Sequence, residues 1–207
     1  MSGNYYLGLD IGTTGIKAAV FDDSGTPCGS GLSEYTLETP EPDIVELDAE
    51  HYWVSTGEAV KTAVESSGVA PEKIRAMSVT GQAETLIMTG ADHKPLRKAI
   101  VWLDNRAGRE AKIIEREFTS GSLFHLSGQT EMLPCWPAAK ILWFRENEPE
   151  LFAKTEKFLM VEDYIVHKLT GRCVTCRGLM PSSLYYDIRT KRYDTEMLDF
   201  LGIREEQ

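Results

Sequence analysis

Residues 7 to 17 read LGLDIGTTGIK, an apolar run that ends in a carboxylate and continues into glycines and threonines. The pattern on either side predicts two β-strands joined by a tight turn. Such a turn fits two interpretations. It is an ordinary hairpin in which Asp10 caps the turn and the threonines bond locally, or its N–H groups and hydroxyls converge on a phosphate.

Asp10 and the residues after it have the composition of a metal-assisted phosphate site. Mg²⁺ keeps several waters and is commonly held by one or two carboxylates together with substrate phosphates, so one aspartate is sufficient. The stretch is not a P-loop, which needs GxxxxGK and a following Ser or Thr before a helix, and it lacks the GxGxxG pattern. A second strand is predicted to follow instead.

The composition limits the classes of partner. The chain has 207 residues, 42% hydrophobic content and a formal net charge of −10. This charge repels phosphate backbones and anionic lipid, so we expect no nucleic-acid or membrane partner. The first residues lack the pattern of a signal peptide and no apolar run is long enough to cross a bilayer, which indicates a cytoplasmic protein.

The four cysteines do not predict a disulfide framework in a chain of this length. Cys173 and Cys176 have CxxC spacing, but the motif stands alone in a β-branched stretch. An extended backbone would direct residues three apart to opposite faces. We therefore predict neither a metal nor a redox role for this pair.

Strands dominate the first half of the predicted structure. They lie at YYLGLD, IKAAVFD and CGSGLSEYTL, three in succession, which predicts a meander. A helix is predicted from the N-cap Asp48 to about residue 66, and strands return at IRAMSVTG, ETLIMTG and KAIVW. The chain is predicted to form one domain over residues 1–207, strand-rich at 1–102 and mostly helical at 103–207.

Helices dominate the second half. PAAKILWFREN, PELFAKTEK and VEDYIVHKLTG each have a helical pattern, and the last 20 or so residues predict a hairpin or strand before a helix. At helical spacing, Lys140 is predicted as a surface cation and Trp143 as a core aromatic.

The stretch LGLDIGTTGIKAAVFD resembles the first phosphate motif of the actin-like ATPases, and specifically of the FGGY carbohydrate kinases. Further similar motifs follow in the family's order: VTGQAETLIM, AIVWLDNRA, CWPAAKILWFREN and EDYIVHKLTG. Each alone would be weak, but together they are specific. The resemblance implies an α/β fold, an actin-like ATPase (ribonuclease H-like) domain with a mixed sheet flanked by helices.

The resemblance also implies roles for the opening turn, with ATP and Mg²⁺ as cofactors. By this analogy Asp10 coordinates Mg²⁺, and Gly12, Thr13 and Thr14 face the terminal phosphates of ATP. Lys17 adds positive charge nearby. Phosphoryl transfer depends mainly on positioning and charge stabilisation, which such groups supply.

The residues that match the family's sugar or polyol pocket are Gln82, Ala83, Glu84, Trp102 and Asp104. A carboxylate accepts hydrogen bonds from hydroxyls, and an indole covers the apolar face of a carbon chain. Two alternatives stay open: Trp102 is a core residue, and Asp104 caps a helix that starts near Asn105.

Departures from the family pattern bear on the substrate. Ala83 stands where glycerol kinases have an arginine that holds glycerol hydroxyls, and Cys135 stands where they have tyrosine. Loss of the arginine opens space and removes a charge, which favours a substrate larger than glycerol. We expect a ketose, xylulose-like, or a longer polyol. Cys176 replaces an aspartate of many relatives, which leaves the nearby interdomain contacts open.

The family's general base lies in a segment beyond residue 207, and no carboxylate of this chain matches its motif. The resemblance therefore implies the N-terminal half of a kinase, without a catalytic base of its own and inactive in isolation. Its expected partners are a small sugar or polyol, its own C-terminal kinase domain and, as a homodimer, a second copy. The alternative is a noncatalytic actin-like module that binds a sugar or a protein and does not need Asp10.

Overall fold

The computed structural model describes residues 3–207, with most of the strands in the first half of the chain and most of the helices in the second. The strands are β1 (Tyr5–Ile11), β2 (Gly15–Asp22), β3 (Pro27–Glu34), β4 (Glu46–Leu47), β5 (Ile74–Gly81), β6 (Leu86–Thr89), β7 (Ala99–Ile100), β8 (Lys157–Met160), β9 (Tyr186–Asp187) and β10 (Arg192–Tyr193). The α-helices are α1 (Ala49–Ser67), α2 (Gly108–Glu117), α3 (Ser120–Ser127), α4 (Pro137–Asn147), α5 (Pro149–Phe152), α6 (Val161–Thr170) and α7 (Thr195–Leu201). Short 3₁₀ turns lie at Pro71–Lys73 and Met180–Ser183.

The main sheet grows out of the opening hairpin. Its strand order is β3-β2-β1-β5, in which β1, β2 and β3 form the predicted antiparallel meander. β5 pairs with β1 in parallel, and α1 lies in the connection between the meander and this strand. The mixed sheet and its flanking helices confirm the predicted fold class.

Helix α1 is the main cover of this sheet. Asp48 caps it as predicted, because its carboxylate accepts the N–H of Glu50 at 3.0 Å. The helix comes very close to β3. A Cβ added to Gly31 would lie 2.2 Å from the carbonyl oxygen of Ala59, so only glycine fits there.

A second sheet, in the order β4-β7-β6-β8, separates two hydrophobic cores. Every residue of β6 is buried, and its side chains alternate between the cores. Ile87 joins the cluster beneath the main sheet, whereas Leu86 and Met88 join the cluster around α2, α4 and α7. Strand β6 is therefore buried on both faces and lies between the two hydrophobic cores.

The prediction of a helix through PELFAKTEK is wrong in its second half. Helix α5 ends at Phe152, and Lys157 begins β8, which pairs antiparallel with β6. Strand β8 has only four residues, and hydrophobic periodicity cannot distinguish so short a strand from a helix, particularly after a polar segment. None of the helices among residues 3–207 combines the length and the apolar character that a membrane span requires.

Candidate functional site

The glycine–threonine turn, residues 12–14, joins β1 to β2 and is closed by backbone contacts. The N–H of Gly12 donates to the carbonyl of Gly15 at 3.0 Å. A Cβ on Gly12 would lie 2.8 Å from that oxygen, and one on Gly15 would lie 2.9 Å from the Ser33 carbonyl. Both positions therefore require glycine because of close backbone approach.

Asp10 lies one residue before the end of β1, half-buried, directly opposite Lys17 of β2. Residues opposite each other across an antiparallel pair share one face of the sheet, so the carboxylate and the ammonium lie on the same side. On its other side Asp10 is in register with Thr80 of β5. The structure thus brings the predicted metal ligand and the predicted cation together beside the turn.

Within residues 3–207 no group of three or more His, Cys, Asp or Glu side chains is placed to hold a metal ion. A single carboxylate fits Mg²⁺ in the mode that takes its remaining ligands from water and from substrate phosphates. Asp10 is such a carboxylate, and it lies beside a turn in which a Cβ on Gly12 or Gly15 would clash with backbone carbonyls. The donor set therefore suits Mg²⁺ carried with a nucleotide and not a metal bound by protein ligands alone.

Two side chains hold the turn from behind. The Tyr35 hydroxyl donates to the Gly12 carbonyl, and Gln82 Nε2 lies 3.4 Å from the same oxygen. The Gln82 backbone N–H also donates to the Ile11 carbonyl at 2.8 Å. Gln82, predicted to contact sugar, therefore faces the turn. Tyr35 was not predicted as a site residue, because nothing in GLSEYTL marks it out from an ordinary strand end.

Trp102 links the turn to the second predicted subsite. Its indole Nε1 donates to the Thr13 hydroxyl at 3.0 Å, and its backbone N–H donates to the Thr85 hydroxyl at 3.1 Å. The side chain is 37% exposed, which makes it an exposed aromatic surface and not the core residue of the alternative interpretation. A ring in this position can contact a ligand that lies beside the turn.

Ala83 and Glu84 lie in the loop between β5 and β6, and both are half-buried. Glu84 has a left-handed backbone, with φ of 61°, a conformation that non-glycine residues rarely adopt. Burial raises the pKa of its carboxyl group, while a hydrogen bond from Ser182 and the charge of Lys140 oppose that change. Backbone strain of this kind concentrates at functional sites.

The prediction that Lys140 of α4 is a surface cation is wrong, because its side chain is completely buried. Its ammonium donates to the carbonyl of Glu84 at 2.7 Å and to that of Val101 at 2.9 Å. Burial lowers the pKa of Lys140 to about 7, against the attraction of Asp104, Cys135 and Glu84. We call the segments 82–85 and 101–104, whose carbonyls this residue joins, the Lys140 loops.

Asp104 is also fully buried and bonded to the chain's own donors. Its carboxylate accepts the Val45 N–H at 2.7 Å, and Arg106 approaches both oxygens through Nε at 2.8 Å and a terminal nitrogen at 2.7 Å. The alternative in which Asp104 caps a helix near Asn105 is wrong, since α2 begins at Gly108. A direct contact of this carboxylate with substrate would require some of these bonds to change.

A network of partly buried charges continues behind Asp104. Arg106 also donates to Glu46 at 2.7 Å, and Arg97 bridges Glu46 and Glu148. Both guanidinium groups lie over the ring of Trp143, at 4.9 Å and 5.7 Å from its centre. Sequence reasoning missed this network because its members are far apart in the chain and each has the ordinary signature of a surface charge.

The CxxC pair is not arranged as a disulfide. Cys173 is half-buried with its Sγ 3.5 Å from Nδ1 of His167, whereas Cys176 is exposed. Burial raises the pKa of the Cys173 thiol, so the protein does not favour its reactive thiolate form. All four cysteines are free thiols.

The chain is similar to known proteins in both sequence and fold. The model of the FGGY family of carbohydrate kinases, N-terminal domain, matches residues 5–207. A glycerol kinase of Thermococcus gammatolerans is 35% identical over 207 residues, covering 97% of this chain and 41% of that protein. A xylulose kinase of Escherichia coli is 26% identical, covering 98% of this chain and 41% of its own length.

Solved structures agree with the sequence matches. The crystal structure of a gluconate kinase from Lactobacillus acidophilus superposes with a TM-score of 0.92 at 27% identity, over 99% of this chain and 41% of that one. The chain thus spans about two fifths of the length of the relatives it matches. These matches confirm the resemblance and the actin-like ATPase fold. The chain belongs to the FGGY family of carbohydrate kinases and corresponds to its N-terminal domain.

Proposed function

We propose that the protein containing this chain transfers the terminal phosphoryl group of ATP to a hydroxyl of a sugar or polyol. The observation that carries the proposal is the 3.0 Å hydrogen bond from Trp102 to Thr13. This bond joins a residue suited to cover a carbon chain to a turn suited to hold phosphate. Donor and acceptor subsites would therefore adjoin, which phosphoryl transfer between two bound molecules requires.

On the phosphate side, we assign Asp10 to Mg²⁺ and Gly12, Thr13 and Thr14 to the terminal phosphates. Lys17, opposite Asp10 on the same face, would add positive charge near the transferring group. Mg²⁺, when bound with the nucleotide, supplies charge neutralisation between the phosphate oxygens. The protein's own contribution is to orient those oxygens with fixed N–H groups and hydroxyls.

On the acceptor side, Glu84 and Trp102 would contact the sugar or polyol directly, next to the space left by Ala83. Gln82 and Asp104 belong to the same subsite, but their bonds to Gly12 and to Arg106 favour positioning roles. Because Ala83 is small and uncharged, we favour a ketose or a polyol longer than glycerol. Among the relatives are glycerol kinases and xylulose kinases, so both acceptor classes belong in a substrate panel.

The rest of the protein would supply what these residues do not. The relatives are more than twice as long as this chain, and we place the general base and the second wall of the cleft in that additional part. Closure of two domains over the acceptor would exclude water, so that the hydroxyl receives the phosphoryl group. We also propose that residues 1–207 correspond to one kinase domain of a cytoplasmic protein. The proposed homodimer is to be tested by measuring the oligomeric state of the whole protein.

The test is ATP consumption by the whole gene product with Mg²⁺, against a panel of polyols, ketoses and sugar acids. Asp10→Asn keeps the shape of the side chain and removes its charge, and we expect it to lower turnover by about a hundredfold or more. Asp23→Asn, at an exposed position in the turn after β2, is the matched control and should leave turnover unchanged. Sugar binding without phosphorylation of any panel member would instead favour the noncatalytic module.

A further inference from the structure

Tyr35 holds the glycine–threonine turn at two points. It directly follows β3, is half-buried, and its hydroxyl donates to the Gly12 carbonyl. Its backbone N–H donates to the Thr14 carbonyl at 3.1 Å. One residue therefore binds the carbonyls on both sides of Thr13.

These bonds have a consequence for the N–H of Thr13. In a trans peptide the carbonyl of one residue and the N–H of the next point in opposite directions, and residues 3–207 contain no cis peptide bond. A Gly12 carbonyl directed at Tyr35 therefore directs the Thr13 N–H away from Tyr35. In the described part of the chain this N–H makes no hydrogen bond of its own.

The clamp matters because glycine makes the turn adaptable. Gly12 has access to backbone conformations closed to other residues, so the Gly12–Thr13 peptide could rotate and present its carbonyl instead of the N–H. A carbonyl in that position would repel a phosphate oxygen. The Tyr35 hydroxyl opposes this rotation with a bond in a partly buried setting, where hydrogen bonds are stronger than in water. Gln82, at 3.4 Å from the same carbonyl, is a weaker second donor.

We propose that Tyr35 is a positioning residue for nucleotide phosphate, which keeps the Thr13 N–H directed at the phosphate by holding the Gly12 and Thr14 carbonyls. This inference rests on the proposed function, because it concerns the same turn. It adds a residue that contacts neither ATP nor sugar and acts through the backbone alone.

The chain offers a matched control in Tyr52 of α1. The two tyrosine rings are in edge-to-face contact, with centres 5.4 Å apart and planes at 86°. Tyr52 is fully buried, and its hydroxyl lies near the Gln82 side chain and makes no hydrogen bond with residues 12–14 in the described part of the chain. Tyr35→Phe and Tyr52→Phe therefore remove the same atom from the same cluster, but only the first removes a contact with the turn.

The kinetic experiment uses the whole gene product. For Tyr35→Phe we expect kcat/KM for MgATP to fall about tenfold, as expected for a lost hydrogen bond to a partly buried carbonyl, while KM for the sugar changes less than about twofold. Tyr52→Phe should leave both parameters at wild-type values. A Tyr35→Phe enzyme with wild-type ATP kinetics, or one whose sugar KM rises as much as its ATP KM, would overturn the inference.

A second readout is independent of turnover and uses MgADP as the probe. In amide NMR spectra, MgADP should shift the Thr13 resonance of the wild type and of Tyr52→Phe, and shift it much less in Tyr35→Phe. If no sugar is phosphorylated but this difference is observed, the proposed function fails and the inference stands. Equal shifts in all three proteins, or no Thr13 shift in the wild type, would sink the inference whatever the kinetics show.

Discussion

The glycine–threonine turn and the Lys140 loops adjoin in one site, yet they are held by different physical means. The turn is fixed by neutral donors, a tyrosine hydroxyl, an amide and backbone N–H groups, that meet backbone carbonyls. The Lys140 loops are held by ionisable side chains that are fully buried, Lys140 and Asp104, or almost so, Arg106. Loss of a hydrogen-bond donor should therefore perturb the turn locally, whereas loss of a buried charge in the loops should destabilise the whole domain.

The largest effect is expected for Asp104→Ala. Removal of this carboxylate leaves Arg106 buried with only part of its compensation and the Val45 N–H without its acceptor. The expected loss in free energy of unfolding is about 3–5 kcal/mol, measured by chemical denaturation. If the loss is below about 1 kcal/mol, the Lys140 loops do not depend on this buried charge for their stability.

Lys140 provides a test through pH. Its pKa is lowered from 10.5 to about 7 on folding, so between these values the unfolded chain binds one more proton than the folded one. Stability from this residue is therefore fully present above pH 10.5 and is lost as pH falls towards 7, by about 1.4 kcal/mol per pH unit.

The variant Lys140→Met removes this titration and keeps the length of the side chain. The difference in free energy of unfolding, wild type minus variant, should rise between about pH 7.5 and 9.5, inside the window set by the two pKa values. Lys61→Met, at an exposed position on α1, is the control and should give a flat difference. A flat difference for Lys140→Met would mean that Asp104, Glu84 and Cys135, which face the ammonium, keep it charged throughout this range.

In the glycine–threonine turn, Gly12→Ala should disturb the local backbone more than the stability of the whole fold. The added Cβ would lie 2.8 Å from the Gly15 carbonyl oxygen, so the turn must open, at a cost of about 1–3 kcal/mol. ATP-dependent turnover should fall far more than stability. Gly57→Ala is the control, since its Cβ meets nothing within 4 Å in the interior of α1, and it should stabilise by about 0.5–1 kcal/mol.

The smallest effect concerns the bond that joins the two regions. Trp102→Phe keeps an aromatic ring but removes the donor to Thr13, for a stability loss of about 0.5–1.5 kcal/mol. Trp136→Phe removes an indole bond of the same 3.0 Å length, to the Glu131 carbonyl, and serves as control. Kinetic coupling between sugar and ATP binding should weaken in Trp102→Phe and not in Trp136→Phe. Equal coupling in the two variants would show that the turn and the Lys140 loops act independently.

Much of the fold follows from local sequence. The meander, the β5 strand and the capped helix α1 were predicted because Gly, Asp and Pro mark their ends and apolar periodicity marks their interiors. The end of α5 and the start of β8 at Lys157 were not predicted from PELFAKTEK. Strand β8 depends on pairing with β6, as between Leu159 and Ile87, which are far apart in the chain. Pairing between distant segments leaves no periodic signal in so short a strand.

The candidate site divides in the same way. Asp10, the turn and Lys17 lie within eight residues, so their proximity was readable from the sequence. Lys140 was not, since an isolated lysine on a helix is usually exposed and its acceptors are carbonyls, which every residue has. Tyr35 was missed for the same reason, as its contact is also a main-chain carbonyl.

The grip of Lys140 on main-chain carbonyls bears on how such a pocket changes over evolutionary time. Because its acceptors are main-chain carbonyls, these two bonds do not depend on which side chains residues 83 and 102 carry, so both positions can be exchanged while the bonds are kept. Specificity for a new acceptor can then arise by single substitutions, with little penalty in folding. The residue that holds the loops in place is therefore not one of the residues proposed to contact the acceptor, and the two can change independently.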